Sequence, residues 1–287
     1  KETRFRFPIE SMEDILRRAA RMFFAQKGTK VDVVAGFPWF GRWGRDTFIS
    51  LPGLCMAIGD WRMFRMAIDS ELEDFQNGFF PNIGSGSQSA YNSVDAPLWF
   101  FWCIQQYAYA NNAREQVWTL YKDVMKQILD TFSEGTNNVR MDSNFLLWQS
   151  QEGAALTWMD AIIDGEPVTR RNGYAVELNA LWFNAVMFYR ELATLACQDG
   201  ETARWDEFAA EFPEHFKQTF WSKEKGYLAD CVYGMKKDFS VRCNMIFAVS
   251  MPYTCLSLKI RQLIVEKVKQ ELLTPYGLRT LSPTSVD

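Results

Sequence analysis

The sequence predicts an all-α domain in which packed helices form a wall and their connecting loops carry the chemistry. Three observations support this. Apolar residues recur at three- and four-residue steps along most of the chain. The stretches between are rich in Trp, Gly, Asn, Asp and Arg. Only two short segments, Val31–Val34 and Tyr227–Val232, have β character, and neither has a partner strand long enough to build a sheet. Helices alternating with polar-aromatic loops at one end are the pattern of an α/α barrel, where a rigid scaffold presents functional loops. The 287 residues exceed the usual size of a domain, but barrels of this length fold as one unit, so 1–287 is read as a single domain.

The elements follow in order. Ser11-Met12-Glu13-Asp14 reads as a capping box ahead of Ile15, Leu16, Ala19, Met22 and Phe23 on one helical face. Further helices are expected near 47–59, 61–76 and 94–110. Val117, Leu120, Tyr121, Val124, Ile128 and Phe132 make the next, and 174–195 another. Trp205, Phe208, Ala209, Phe212 and Phe216 share one face. A short helix near 243–250 precedes a last one through Ile260, Leu263, Ile264 and Val268, which Pro275 and Gly277 close. This gives about nine helices. The unusual residues collect in Gly36–Arg45, Gly78–Tyr91, Asn144–Arg171 and Gly226–Arg242.

Composition narrows the function. A net charge of −4 with both signs interspersed offers no basic face for nucleic acid. The longest apolar run, Leu98–Ile104, falls far short of the roughly 20 residues of a membrane span. Six scattered cysteines without a C-x-x-C pair read as buried free thiols, and a cytoplasmic protein is expected. The chain opens at Lys1 with no initiator Met and no leader pattern, as in a processed or excised piece. His215 is the single histidine and lies on an amphipathic stretch, so metal and Ser-His-Asp sites are not expected and carboxylates must do any chemistry. Aromatics at 15%, with 11 Trp, suit sugar rings, whose C–H faces stack on indoles.

Four constellations can carry that chemistry. In Trp39–Asp46, Asp46 can cap the following helix and Arg45 can pair with a carboxylate. Alternatively, Arg45 and Asp46 form a fork for sugar hydroxyls with Trp43 as a wall. Asp95, in Tyr91–Phe100, opens a very apolar helix, where the dipole favours a carboxylate. Asp160 lies in a long non-helical segment among Trp148, Trp158 and Met159, a setting suited to a general acid. Glu177 and Asn179 stand at a helix start, where they can cap it or line a pocket.

GRWGRDTFISLPGL (41–54), YNSVDAPLWF (91–100), LTWMDA (156–161), RNGYAVELNALW (171–182) and LLTPYGLRTLSP (272–283) resemble, in order and spacing, the C-terminal amylo-1,6-glucosidase domain of glycogen debranching enzymes. The resemblance spans nearly the whole chain. It implies an (α/α)6 barrel of the six-hairpin glycosidase type and inverting hydrolysis of the α-1,6-linked glucose at a glycogen branch, without cofactor or metal. It makes Asp160 the general acid. It assigns Trp43, Arg45, Asp46, Asp95, Trp158, Glu177 and Asn179 to the glucose pocket, and glycogen or another branched α-glucan as partner. It also implies a Tyr-His-x-Gly-type loop, further helices and a general-base Glu, none of which has a match before Asp287. The expectation is therefore a barrel incomplete at its C-terminal end, closed by a partner chain or by the missing segment. Within the chain, Glu152, Glu166 and Glu177 are the acids weighed as substitutes for the base. Arg242-Cys243-Asn244 departs from the family's more usual Arg-Pro-Asn. The alternative reading is a non-hydrolytic α-glucan-binding or scaffold protein on the same fold.

Overall fold

A computed structural model of the chain describes residues 11–36, 39–84 and 89–285. Residues 1–10, 37–38, 85–88 and 286–287, which include parts of two expected loops, lie outside the described residues. The helices are α1 (Met12–Arg21), α2 (Gly44–Leu54), α3 (Trp61–Leu72), α4 (Ala96–Ala110), α5 (Arg114–Glu134), α6 (Val176–Leu195), α7 (Asp199–Ala203), α8 (Asp206–Phe220), α9 (Phe247–Ser250) and α10 (Leu258–Glu271). All nine expected helices are present. The second and eighth are completed by 3-10 turns at Met56–Ile58 and Cys243–Ile246. The addition is α7, too short and too polar for periodicity to reveal. None of the described helices is long and apolar enough to cross a membrane.

The centre is built from α4 and α6. Both are apolar nearly all round, so no single face can point to water and each is buried on most sides. The α2 helix packs on α4, α4 on α6, and α5 against both, while α6 also meets α7, α8 and α9. Interlocked rings fill the interfaces. Phe48 sits edge-on to Phe80 and Phe100, and Phe183, Phe208 and Phe212 stack along the α6–α8 contact. Each such ring removed from water contributes about 1.5–3 kcal/mol, so this core dominates the stability. The capping box at Ser11 and Asp14 forms as expected. Among the described residues, however, nothing covers the apolar face of α1, and Met12, Ile15 and Leu16 are exposed there.

Strand pairing exceeds the expectation. Lys30–Gly36 pairs antiparallel with Phe24–Lys27 on one side and Phe40–Arg42 on the other. Cys231–Tyr233 pairs with Lys236–Asp238 and with Tyr174–Ala175. The partner strands are two to four residues long, and some are charged or glycine-containing. They carry too few side chains to show a period of two. The first sheet buries Val31 and Val33 toward α3, and the Val31 N–H donates to Ser70 Oγ at 2.8 Å. The second ties the start of α6 to the segment around residue 230, which positions the site.

Two glycines set the loops. A Cβ on Gly44 would lie 2.3 Å from the Pro81 carbonyl oxygen, so only glycine lets α2 begin against that backbone. Gly173 has φ +103°, and a Cβ there would meet the Val232 carbonyl oxygen at 2.3 Å. The long segment from 144 to 171 contains no helix, as expected.

Candidate functional site

A cavity of about 710 Å³ opens where the start of α2, the 156–161 loop, the start of α6 and the Cys243–Phe247 turn converge. Its apolar wall includes Phe40, Trp43, Trp99, Trp158 and Phe247, and its carboxylates are Asp46, Asp160 and Glu177. All four constellations therefore meet there, the second through Trp99. A larger groove of about 1190 Å³ runs past Tyr233, Phe239 and Lys267. Its acidic residues are already engaged: Asp238 accepts from the Ser240 N–H, and Glu271 is paired with Lys267 and Thr284. The smaller cavity is the better candidate for carboxylate chemistry.

Arg45, in the first turn of α2, organises one side. Its Nε donates to both oxygens of Asp95 at 2.9 Å, its Nη1 to Asp160 Oδ2 at 3.0 Å and its Nη2 to Ser93 Oγ at 3.3 Å. Asp95 does not cap α4. Ser93 takes that task by accepting from the Ala96 N–H at 3.2 Å, and Asp95, buried behind Arg45, is left to hold the guanidinium. Asp160 is about a third exposed, and its Oδ1 has no protein partner among the described residues. Asp46 lines the cavity at the third position of α2, and Trp43 occupies the N-cap position without side-chain capping. Burial pushes the Asp46 carboxyl up from its ordinary range, against the pull of Arg45.

Arg171 organises the other side. It donates from Nε to Asp230 Oδ2 at 2.8 Å, from Nη2 to Glu177 Oε2 at 2.6 Å and from Nη1 to Thr157 Oγ1 at 3.2 Å. Burial disfavours its charge, but Asp230 and Glu177 hold its pKa well above the ordinary value. Burial likewise pushes Glu177 up, opposed by Arg171. Glu177 thus borders the cavity with both oxygens bound to Arg171, rather than as a free base. Glu152 is exposed and absent from the cavity wall, and Glu166 is exposed and paired with Arg170.

Asn179 departs from its expected place. It is fully buried and does not line the cavity. Its Oδ1 accepts from the Leu147 N–H at 2.7 Å, and its Nδ2 donates to the carbonyls of Leu147 and Ala175. Two residues further along α6 than Glu177, the amide fastens the 147 strand to the helix. Trp148 also lies off the cavity, under the Arg140 guanidinium. His215 stacks on Phe145 at the core edge, as expected. Five of the six cysteines are buried or half-buried, while Cys197 is exposed, and all are free thiols. No cluster of potential metal ligands occurs among the described residues.

Sequence reasoning missed Trp99, Phe247, Ser93, Asp230 and Asn244. For Asp230 a signal existed, a lone carboxylate inside Leu228-Ala229-Asp230-Cys231-Val232. A charge in such a run needs a buried partner.

The family model for amylo-alpha-1,6-glucosidase matches residues 13–287. The chain belongs to the amylo-alpha-1,6-glucosidase family. It is 21% identical to the glycogen debranching enzyme of Saccharomyces cerevisiae over 341 aligned positions. That match covers 88% of this chain and 22% of the yeast protein, so the chain spans about a fifth of that relative's length. Among solved structures, a GH78 family rhamnosidase of Bacillus sp. GL1 aligns with 71% of this chain and 20% of its own, at 17% identity and a TM-score of 0.46. The family is that of a glycoside hydrolase, and four of the five segments that suggested it contribute residues to the cavity, among them Trp43, Trp99, Asp160 and Glu177.

Proposed function

We propose that this chain is a glucosidase domain of α/α-barrel type that hydrolyses the α-1,6-linked glucose of a branched glucan with inversion. Asp160 is the general acid. Trp43, Trp158 and Trp99 pack on the sugar faces, and Arg45, Asp46 and Glu177 meet its hydroxyls. Asp95 acts through Arg45. The observation that carries the reading is the meeting of Asp160, Arg45 and Asp46 on one aromatic-walled cavity from segments 115 residues apart. Asp160, with one oxygen held by Arg45 and its side chain on the cavity wall, is placed to deliver a proton to a glycosidic oxygen.

Inversion needs a second carboxylate about 6.5–9.5 Å across the sugar to activate water. Glu177 is bound by Arg171, and the family's general-base segment has no counterpart in this sequence. The base is left unassigned among these residues, and slow glucose release is expected of this chain.

The test is glucose release from a branched limit dextrin by the purified chain beside Asp160→Asn. Release that falls by about 10²–10⁴-fold in the variant supports the assignment, and β-glucose as the first product supports inversion. Release unaffected by Asp160→Asn overturns it. Maltooligosaccharide binding with no release from either protein favours the glucan-binding alternative.

A further inference from the structure

Asp160 sits on a loop that precedes the short Ile162–Ile163/Glu166–Pro167 hairpin, so what places its N-terminal side needs an explanation. The described backbone bonds on either side of it are the Val94 N–H to the Leu156 carbonyl and the Val168 N–H to the Ala161 carbonyl, each at 2.9 Å. The three residues that precede Asp160 are nonetheless each fastened by a side chain. Thr157 Oγ1 accepts from Arg171 Nη1 at 3.2 Å. The Trp158 indole N–H donates to Asn244 Oδ1 at 2.8 Å. Met159 Sδ lies 3.4 Å from Asn244 Nδ2.

These anchors form one buried cluster. Asn244 Nδ2 also donates to Asp230 Oδ1 at 2.7 Å, and the other Asp230 oxygen accepts from Arg171. Asn244 is fully buried, at the 3-10 turn that follows Arg242. The remaining charges facing it are Arg242, 3.8 Å from Asp230, and Glu177 beyond Arg171. Asn244 must donate to a carboxylate and accept from an indole at once, which an amide does and an aliphatic or purely accepting group does not.

We propose that Asn244 is a positioning residue for Asp160, joining Trp158 and Met159 to the Asp230–Arg171–Glu177 cluster and so fixing the loop that carries the acid. The inference rests on the reading of Asp160 given above. Asn244 does not line the cavity, so it acts through Trp158 and not on the sugar. Asp160 is then held twice, from α2 through Arg45 and from the loop side through Asn244.

The experiment uses the whole chain labelled with 5-fluorotryptophan, the Trp158 resonance being assigned by its loss in Trp158→Phe. Fluorine spectra and glucose release from limit dextrin are measured for the parent, Asn244→Ala and Asn244→Asp. In Asn244→Ala the Trp158 resonance should shift and broaden. The kcat should fall about 10- to 100-fold while KM moves less than about threefold. In Asn244→Asp the loss relative to the parent at the same pH should be full near about pH 8. It should shrink toward about pH 5, because one proton shared with Asp230 restores both a donor and an acceptor. A merely structural role lowers the unfolding midpoint but leaves the Trp158 resonance and the kcat of the folded chain unchanged. An unmoved Trp158 resonance in Asn244→Ala, or a pH-independent deficit in Asn244→Asp, overturns the proposal. If Asn244→Ala does not fold, Asn244→Asp across the pH range carries the comparison. If the parent releases no glucose, the enzymatic reading fails, and the fluorine spectra still decide whether Asn244 sets the loop.

Discussion

At the scale of single residues, the site depends on how each arginine divides its donors. Arg45 spends one edge on Asp95 and one on Asp160, whereas Arg171 is fully committed to buried partners. Arg42 repeats the theme away from the cavity. It binds Asp74 at 2.6 Å and Asp32 at 3.4 Å, and its Nε lies 3.6 Å from the buried Glu71 carboxyl. Burial pushes the Glu71 carboxyl up to about 7. For an acid whose pKa is raised on folding, the native state binds the extra proton, so the stability it confers is full below the unfolded value of 4.5 and is lost as pH rises toward 7. Glu71→Gln should remove this slope, which in the parent is worth on the order of 3 kcal/mol. Denaturant midpoints at about pH 5 and 8 check it. An equal slope in both proteins assigns the pH response elsewhere. The residue types of the site were legible in the sequence because charged and aromatic residues rarely crowd into one loop. Their division of labour was not. Asp95 and Asn179 look alike as polar residues at helix starts, and only the folded partners distinguish a carboxylate holding Arg45 from an amide pinning a strand.

At the scale of elements, helices were legible and strands largely were not. A helix such as α5 repeats its apolar stripe over 21 residues, whereas Tyr174–Ala175 contributes two residues to a sheet completed more than fifty positions later. Pairing of that kind is decided by tertiary placement. The glycines at element boundaries are similarly mute in sequence and decisive in space. Gly173→Ala combines a disfavoured φ with a clash against the Val232 carbonyl, and Gly44→Ala presses on the Pro81 carbonyl. Each should cost about 1–3 kcal/mol. Thermal unfolding measures the loss. Gly153→Ala, where φ is also positive but the nearest atom is 3.9 Å away, isolates the conformational part. If Gly173→Ala costs no more than Gly153→Ala, the close approach of the Val232 strand does not constrain that position.

At the scale of the whole molecule, the site exists only because distant segments arrive together. The Arg45–Asp160 contact closes 115 residues, Trp158–Asn244 closes 86 and Arg171–Asp230 closes 59. The helices that frame them depend mostly on neighbours one turn away. Closing long loops costs chain entropy before any contact returns it, and such closures slow folding. After dilution from denaturant, the far-ultraviolet helical signal should recover before the chain regains its binding of maltooligosaccharide. Simultaneous recovery in one phase would mean that cavity and helices form in a single cooperative step. The shared Arg171 cluster adds a consequence for the ribosome-bound chain. Thr157 and Glu177 are in place long before Asp230 and Asn244 emerge, so for that interval a buried-charge cluster lacks its second acid and its amide. A nascent chain paused there carries the loop of Asp160 unfastened, exposed to proteases and chaperones alike.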